Sequence, residues 1–217
     1  MKNALPAVLI AAALVSACPA RAQVYGQFTG APLVPLNGHL FGAYLTASKD
    51  VIGGLAQLRL SFHPRVDFGF QGGLTQLDPG GASASRTTLR VGGDVRWRVS
   101  EVSPTPATSR PDISLGANLA VETADQLKVI SLGPSVVASR SFGGGGERAI
   151  VPYAGLALLF SSRDAFGVED SDISLPLRLG LDARVTPALR IVAELQLFIA
   201  DRYNDDVGFA GGVNLPF

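Results

Sequence analysis

The feature that most constrains this chain is an alternation of period two that runs almost unbroken from residue 38 to residue 217. The stretch Leu89 to Val99, LRVGGDVRWRV, sets Leu89, Val91, Gly93, Val95, Trp97 and Val99 against Arg90, Gly92, Asp94, Arg96 and Arg98. Successive side chains of an extended strand point to opposite faces, so one face is oily and the other carries three arginines and an aspartate. The pattern recurs in Ile52–Phe62, Val66–Thr75, Asp112–Glu122, Asp172–Val185, Arg190–Ala200 and the final VGFAGGVNLPF. Leu40–Ala47, Leu127–Phe142 and Ile150–Ser161 follow it less cleanly, because their polar face is mostly Gly, Ser, Thr, Ala or Tyr. Together these make ten strands of bilayer-crossing length, with eight as the main alternative if two weak segments do not span. No segment carries a convincing helical stripe.

The start of the chain bears on the compartment. MKNALPAVLIAAALVSACPARAQ has one lysine, an apolar run from Ala4 to Ala17 and an Ala20-Arg21-Ala22 cleavage site. It reads as a secretory signal peptide over 1–22, leaving a mature chain from Gln23. Cys18 in Val15-Ser16-Ala17-Cys18 offers a rival lipoprotein reading, which Pro19 and the downstream cleavage site disfavour. Cys18 is the sole cysteine, so the mature chain is held by its core or by a membrane rather than by disulfides. Removing Lys2 and Arg21 leaves sixteen basic residues against 18 acidic ones, a net of −2, which argues against nucleic acid as a partner. After the signal no apolar run is long enough for a membrane helix, so a mature chain in a membrane must close into a barrel.

Alternation alone leaves open which face is inside. Two features choose. The polar face is rich in glycine (Gly69, Gly73, Gly92, Gly116, Gly133, Gly180, Gly208 and Gly212), which gains nothing in open water but makes room for long neighbours in a narrow lumen. That face also carries Arg59, Arg90, Arg96, Arg98, Arg178 and Arg190 with Asp67, Asp94, Glu122, Asp182 and Glu194, a set suited to a packed ionic interior. In this register the aromatic residues Phe62, Phe68, Trp97, Phe142 and Phe217 gather at one rim, as an interfacial girdle would. Pro134 and Pro176 fall inside strands, where each removes a ladder donor, and predict bulges there.

A closing strand of alternating hydrophobes that ends on phenylalanine resembles the assembly signal of bacterial outer-membrane β-barrel proteins. Phe209, Val213, Leu215 and Phe217 match it, and Pro216 departs from it. Val151-Pro152-Tyr153-Ala154-Gly155-Leu156 and the turn from Arg184 to Leu189 resemble those of small barrels in the OmpA-like porin-fold group. The resemblance covers most of residues 38–217. It implies a closed antiparallel transmembrane β-barrel in the outer membrane, with the N-terminus in the periplasm. The partners it implies are membrane lipid, lipopolysaccharide and the assembly machinery that reads the strand ending in Phe217. Residues 23–37 then form a periplasmic arm or partial plug.

The connections alternate between two sets. His63-Pro64-Arg65, Ser100–Pro111, Gly143–Arg148 and Val185–Leu189 face the inner side; Ser48–Asp50, Leu77–Arg86, Thr123–Gln126, Ser162–Ser171 and Asp201–Asp206 face out. The outer set concentrates acids. Glu169, Asp170 and Asp172, with Asp201, Asp205 and Asp206, are candidate oxygen ligands for a divalent ion, although their spacing fits no dedicated calcium loop. Gly143–Gly146 precedes no helix and is a turn rather than a phosphate cradle. His39 and His63 both fall at the inner end, away from the acids, so an acid–histidine catalyst at the outer rim has no base, and no enzyme or cofactor is expected. The functions left are a structural or surface-interaction barrel with its lumen filled by the arginine–carboxylate set, a narrow arginine-lined pore, or a soluble lipocalin-like binder with the apolar faces turned in.

Overall fold

The computed structural model describes residues 33–49, 51–77, 86–100, 111–142, 149–165, 167–199 and 207–217. Its strands are His39–Ser48 (β1), Val51–His63 (β2), Val66–Leu77 (β3), Arg86–Arg98 (β4), Asp112–Ala124 (β5), Leu127–Ser139 (β6), Ile150–Ala157 (β7), Leu159–Ala165 (β8), Val168–Thr186 (β9), Leu189–Ile199 (β10) and Val207–Pro216 (β11). Every pairing is antiparallel, consecutive strands pair except that β7 and β8 each pair with β6 and β9, and β11 returns to pair with β1. The result is a closed barrel. The signal peptide, residues 23–32 and the loops containing Gly143–Gly146 and Asp201–Asp206 lie outside the described residues.

Eleven strands make ten spans, because β7 and β8 are one span interrupted at Leu158. Both halves lie between β6 and β9. The register is unchanged across the break: Ser135 faces Ala157 on one side and Leu132 faces Phe160 on the other. Pro134 is the cause. Leu158 donates its N–H to the Pro134 carbonyl at 3.0 Å, and proline has no N–H to return. The Leu158 carbonyl instead tips over Gly133, where a Cβ would come within 1.8 Å of it. The bulges expected at Pro134 and Pro176 are therefore absent; the ladder loses a bond without shifting. Register shifts occur between Leu60 and His63 and between Leu189 and Arg190, both beside tight turns.

The register also sets the bore. One row runs Phe41, Leu58, Phe70, Gly93, Leu119, Leu132, Phe160 and Ile173. Ile173 stands two residues beyond Leu175, the partner of Ile199, while the Ile191 row passes through Val213 to Ala43. Continued on that register, the Phe41 row regains β1 twelve residues from where it began. Ten spans with that shear tilt the strands by about 40° and give a Cα radius of roughly 10 Å. A bore of this size is filled by long side chains.

Burial is inverted relative to a soluble protein. Leu45 is 73% exposed and Trp97 50%, and Phe62, Phe70, Leu74, Leu119, Phe160, Ile191 and Phe209 also face outward, while Arg59, Asp67, Arg90, Asp94, Arg96 and Glu122 are buried. The outward face is apolar or small from the aromatic rim up to Leu74, Leu89, Val121 and Ile130, a band of about 25 Å, and turns polar above it at Gln76, Thr87, Thr123 and Lys128. No helix among the described residues is long and apolar enough to cross a membrane; the strands do so instead.

The outer connections differ in one place from expectation. Ser162–Ser171 is largely strand rather than loop: β8 reaches Ala165 and β9 starts at Val168, with Arg163 opposite Asp170. At 19 residues, β9 rises about 48 Å at this tilt and overreaches the apolar band. Its polar residues looked like a loop because a strand that leaves hydrocarbon loses its oily face.

Candidate functional site

The interior is the candidate site. All eleven charged residues assigned to the lumen fall on the inward face, and all but the half-buried Arg98 and Arg190 are buried. Four sets of contacts stand out among them. The largest joins β2, β3 and β4. Arg59, 1% exposed, reaches Asp67 at 2.6 Å and grips both oxygens of Asp94 at 3.0 and 2.7 Å. Asp67, 0% exposed, also accepts from Arg96 Nε at 3.0 Å and Nη2 at 2.7 Å. Two guanidiniums thus share one carboxylate, and a second carboxylate balances the charge, as buried ions require.

The local sequence explains why this set can form. Arg59, Gly69 and Asp94 occupy one row of adjacent strands. Gly69 leaves the space above it for its neighbours: a Cβ there would sit 2.2 Å from Asp94 Oδ1 and 2.5 Å from Arg59 Nη1. The inward glycine between two long charged residues is what allows them to meet.

The other sets are smaller. Arg90 pairs with Glu122 at 2.7 Å, and Thr88 Oγ1 donates to the same carboxylate. Glu194 accepts from Tyr153 Oη and Gln196 Nε2, each at 2.7 Å, with Arg178 supplying the opposing charge. Tyr153 lies flat over Gly180, its register partner, where any Cβ would strike the ring. Arg190 Nε stands 2.9 Å from Asp182 Oδ1, an ion pair whose angles are not those of an aligned hydrogen bond. Arg98 joins none of these sets.

Several lumen residues went unselected in the sequence because they carry no charge. Tyr44 donates toward Gln57 Oε1 at 3.2 Å and also contacts Asn214 Oδ1. Gln71, Gln196, Asn118, Thr75 and Thr88 are likewise buried on the inward face. Their parity with Arg59, Arg90, Glu194 and Gly212 is the signal that could have found them.

The segment before β1 closes on this site. A turn at Leu36–Asn37 is held by Gly38 N–H to Pro35 O at 2.8 Å and Asn37 N–H to Ser61 O at 2.9 Å. It carries Leu33 and Val34 into buried positions, and Val34 N–H donates to Asp67 Oδ2 at 3.1 Å. At the same end His39 stacks on Phe217 with ring centroids 5.4 Å apart, and His63 Nδ1 accepts from Arg65 N in its turn.

The acidic candidates divide. Asp170 and Asp172 share the inward face of β9, whereas Glu169 points the opposite way, so the three do not converge. Asp170 Oδ1 accepts from Ser171 N at 2.8 Å, and Arg163 lies across from it. Asp201, Asp205 and Asp206 lie outside the described residues.

No protein-family model matches the chain, and no curated protein matches its sequence. Among solved structures it is similar to the N-terminal β-barrel domain of Pseudomonas aeruginosa OprF, at 11% identity over 84% of this chain and 98% of that one, with a TM-score of 0.37. The KdgM porin in complex with disordered oligogalacturonate matches at 8% identity over 82% and 99%, with a TM-score of 0.40. Ail, the attachment invasion locus protein of Yersinia pestis, matches at 14% identity over 85% and 100%, with a TM-score of 0.31. The closed ring and its inverted burial, rather than these likenesses, carry the assignment to a membrane-spanning barrel.

Proposed function

We propose that the chain is an outer-membrane β-barrel with a structural or surface-interaction role, its lumen closed to ions by its own side chains. The observation that carries this reading is the Arg59–Asp67–Arg96–Asp94 set, excluded from solvent at the centre of a barrel with the bore derived above. A conducting lumen leaves its inward charges in water; these face one another instead. Leu33 and Val34 add apolar cover at the end of the barrel where β1 begins and β11 ends. The reading needs no catalytic step and no cofactor. It takes lipid and lipopolysaccharide as surroundings, the assembly machinery as the partner of β11, and the ends of β8 and β9 as the surface presented outward.

Two measurements test it. Membrane fractionation with heat-modifiable gel migration should find the chain folded in the outer membrane. Reconstituted in a planar bilayer, the same protein should show no steady ion conductance. A stable open conductance would favour the narrow-pore reading, and a chain freely dispersed without detergent would end both.

A further inference from the structure

Between the charged sets runs a strip of a different kind. One inward row passes from Asn214 through Gly42 and Gln57 to Gln71, crosses Gly92 and Ala120, and continues to Ser131 and Ser161. These eight positions hold no formal charge, and the row continues to Arg190 beyond Asn214 and to Asp172 beyond Ser161. The inward row on one side contains Arg59 and Asp94, and that on the other contains Arg90 and Glu122. Because the shear lifts each row as it circles the barrel, this strip climbs about 20 Å from the end where β1 begins and β11 ends toward the far rim.

Along it, polar atoms are buried without partners among the described residues. Gln57 Nε2, Asn214 Nδ2 and both amide atoms of Gln71 have none, although Gln57 is 2% exposed and Asn214 0%. In the adjacent inward row, Asn118 Nδ2 is in the same position. Isolated orphans of this kind are rare, because each forfeits the hydrogen bonds it had in water. A file of them on one strip calls for a common answer. Gly92 and Ala120 face inward on the strip and are half-buried, and the Gln71 amide lies over Gly92, where a Cβ would come within 2.9 Å of its Nε2.

We propose that this row is a built site for small uncharged hydrogen-bonding molecules, water foremost, threading between the ionic sets. Amides offer both donors and acceptors, which suits a guest that does the same. An ion suits it less, since the neighbouring carboxylates and guanidiniums already pair with one another. Water bridging polar groups that the fold leaves unmet is a structural component of an interior, and its partners suffer when it is lost.

The test uses the full barrel folded in detergent micelles, with water itself as the probe. In a 15N-labelled sample the side-chain NH2 groups of Gln57, Gln71 and Asn214 should show direct magnetisation transfer to long-lived water. Gln71→Met keeps the volume and removes the amide; it should abolish the water contact at Gln57 and lower the melting temperature by a few degrees. If the amides are instead dry, no transfer appears, and Gln71→Met raises the melting temperature by deleting an unpaired polar group. That result overturns the proposal. Should Gln71→Met not fold, Gln57→Met with the contact read at Gln71, and the transfer in the unaltered barrel, decide it by the same criteria. Ion conductance is read separately, so failure here leaves the closed-lumen reading standing, and the converse holds.

Discussion

Asp67→Ala is the substitution that most severely probes the interior. Asp67 accepts four hydrogen bonds: from Arg59 at 2.6 Å, from Arg96 at 3.0 and 2.7 Å, and from Val34 N–H at 3.1 Å. Alanine takes both of Arg96's contacts with this carboxylate and leaves Arg59 with Asp94 alone. Removing one partner of a buried ion pair costs about 3–5 kcal/mol. The released Val34 amide adds about 1 kcal/mol. A loss of about 4–6 kcal/mol should lower a urea midpoint by roughly 2 M or more at the usual dependence on denaturant. Trp97, the sole tryptophan, neighbours Arg96 and faces outward, so its fluorescence reports unfolding from vesicles. Asp125→Ala, in the exposed turn between β5 and β6, should stay within about 0.5 kcal/mol of the parent. Adding Arg96→Met to Asp67→Ala should recover part of the loss, since a buried guanidinium that has lost this carboxylate is then removed with it. If Asp67→Ala unfolds at the same midpoint as Asp125→Ala, the carboxylate is solvated and the account of the lumen is wrong.

Other predictions follow from close approaches in the wall. Gly133→Ala drives a methyl into the Leu158 carbonyl and should cost about 1–3 kcal/mol, whereas Gly54→Ala, with nothing within 4 Å of its Cβ, should be nearly neutral; paired thermal melts compare them. Tyr153→Phe removes a donor to the buried Glu194 and should cost about 1.5–3 kcal/mol, read by the same melts, with a smaller loss if Glu194→Gln is already present. Asp94→Ala should lower the unfolding temperature more than Asp205→Ala, because Asp94 holds two donors of Arg59.

Much of this architecture was legible as alternation, and the reason is physical. Every second residue of Leu89–Val99 meets lipid and the others meet the lumen, so parity places Arg90, Asp94 and Arg96 together on one face without any knowledge of the fold. Glycine told the two faces apart, since Gly69 and Gly180 sit where Asp94, Arg59 and Tyr153 need the space. Partners were not legible. Asp67 joins Arg59 and Arg96 across three strands, a matter of register and stagger that a single strand's pattern does not contain. The upper parts of β8 and β9 were missed because beyond the apolar band the outward positions turn polar, as at Ser162, Asp164, Glu169 and Ser171, and the contrast between faces vanishes. The neutral strip of Gln57, Gln71 and Asn214 escaped because attention to charge passes over amides of the same parity.

The central claim is the inversion of the barrel, and site-directed spin labelling in lipid vesicles tests it most directly. In a Cys18→Ser background, labels at Val91 and Leu179 should relax strongly with oxygen dissolved in the bilayer and weakly with a water-borne metal chelate. Labels at Asn118 and Gln196, on the opposite faces of β5 and β10, should be shielded from both. Lumen labels swept by lipid-borne oxygen, with Val91 and Leu179 protected, would contradict the account.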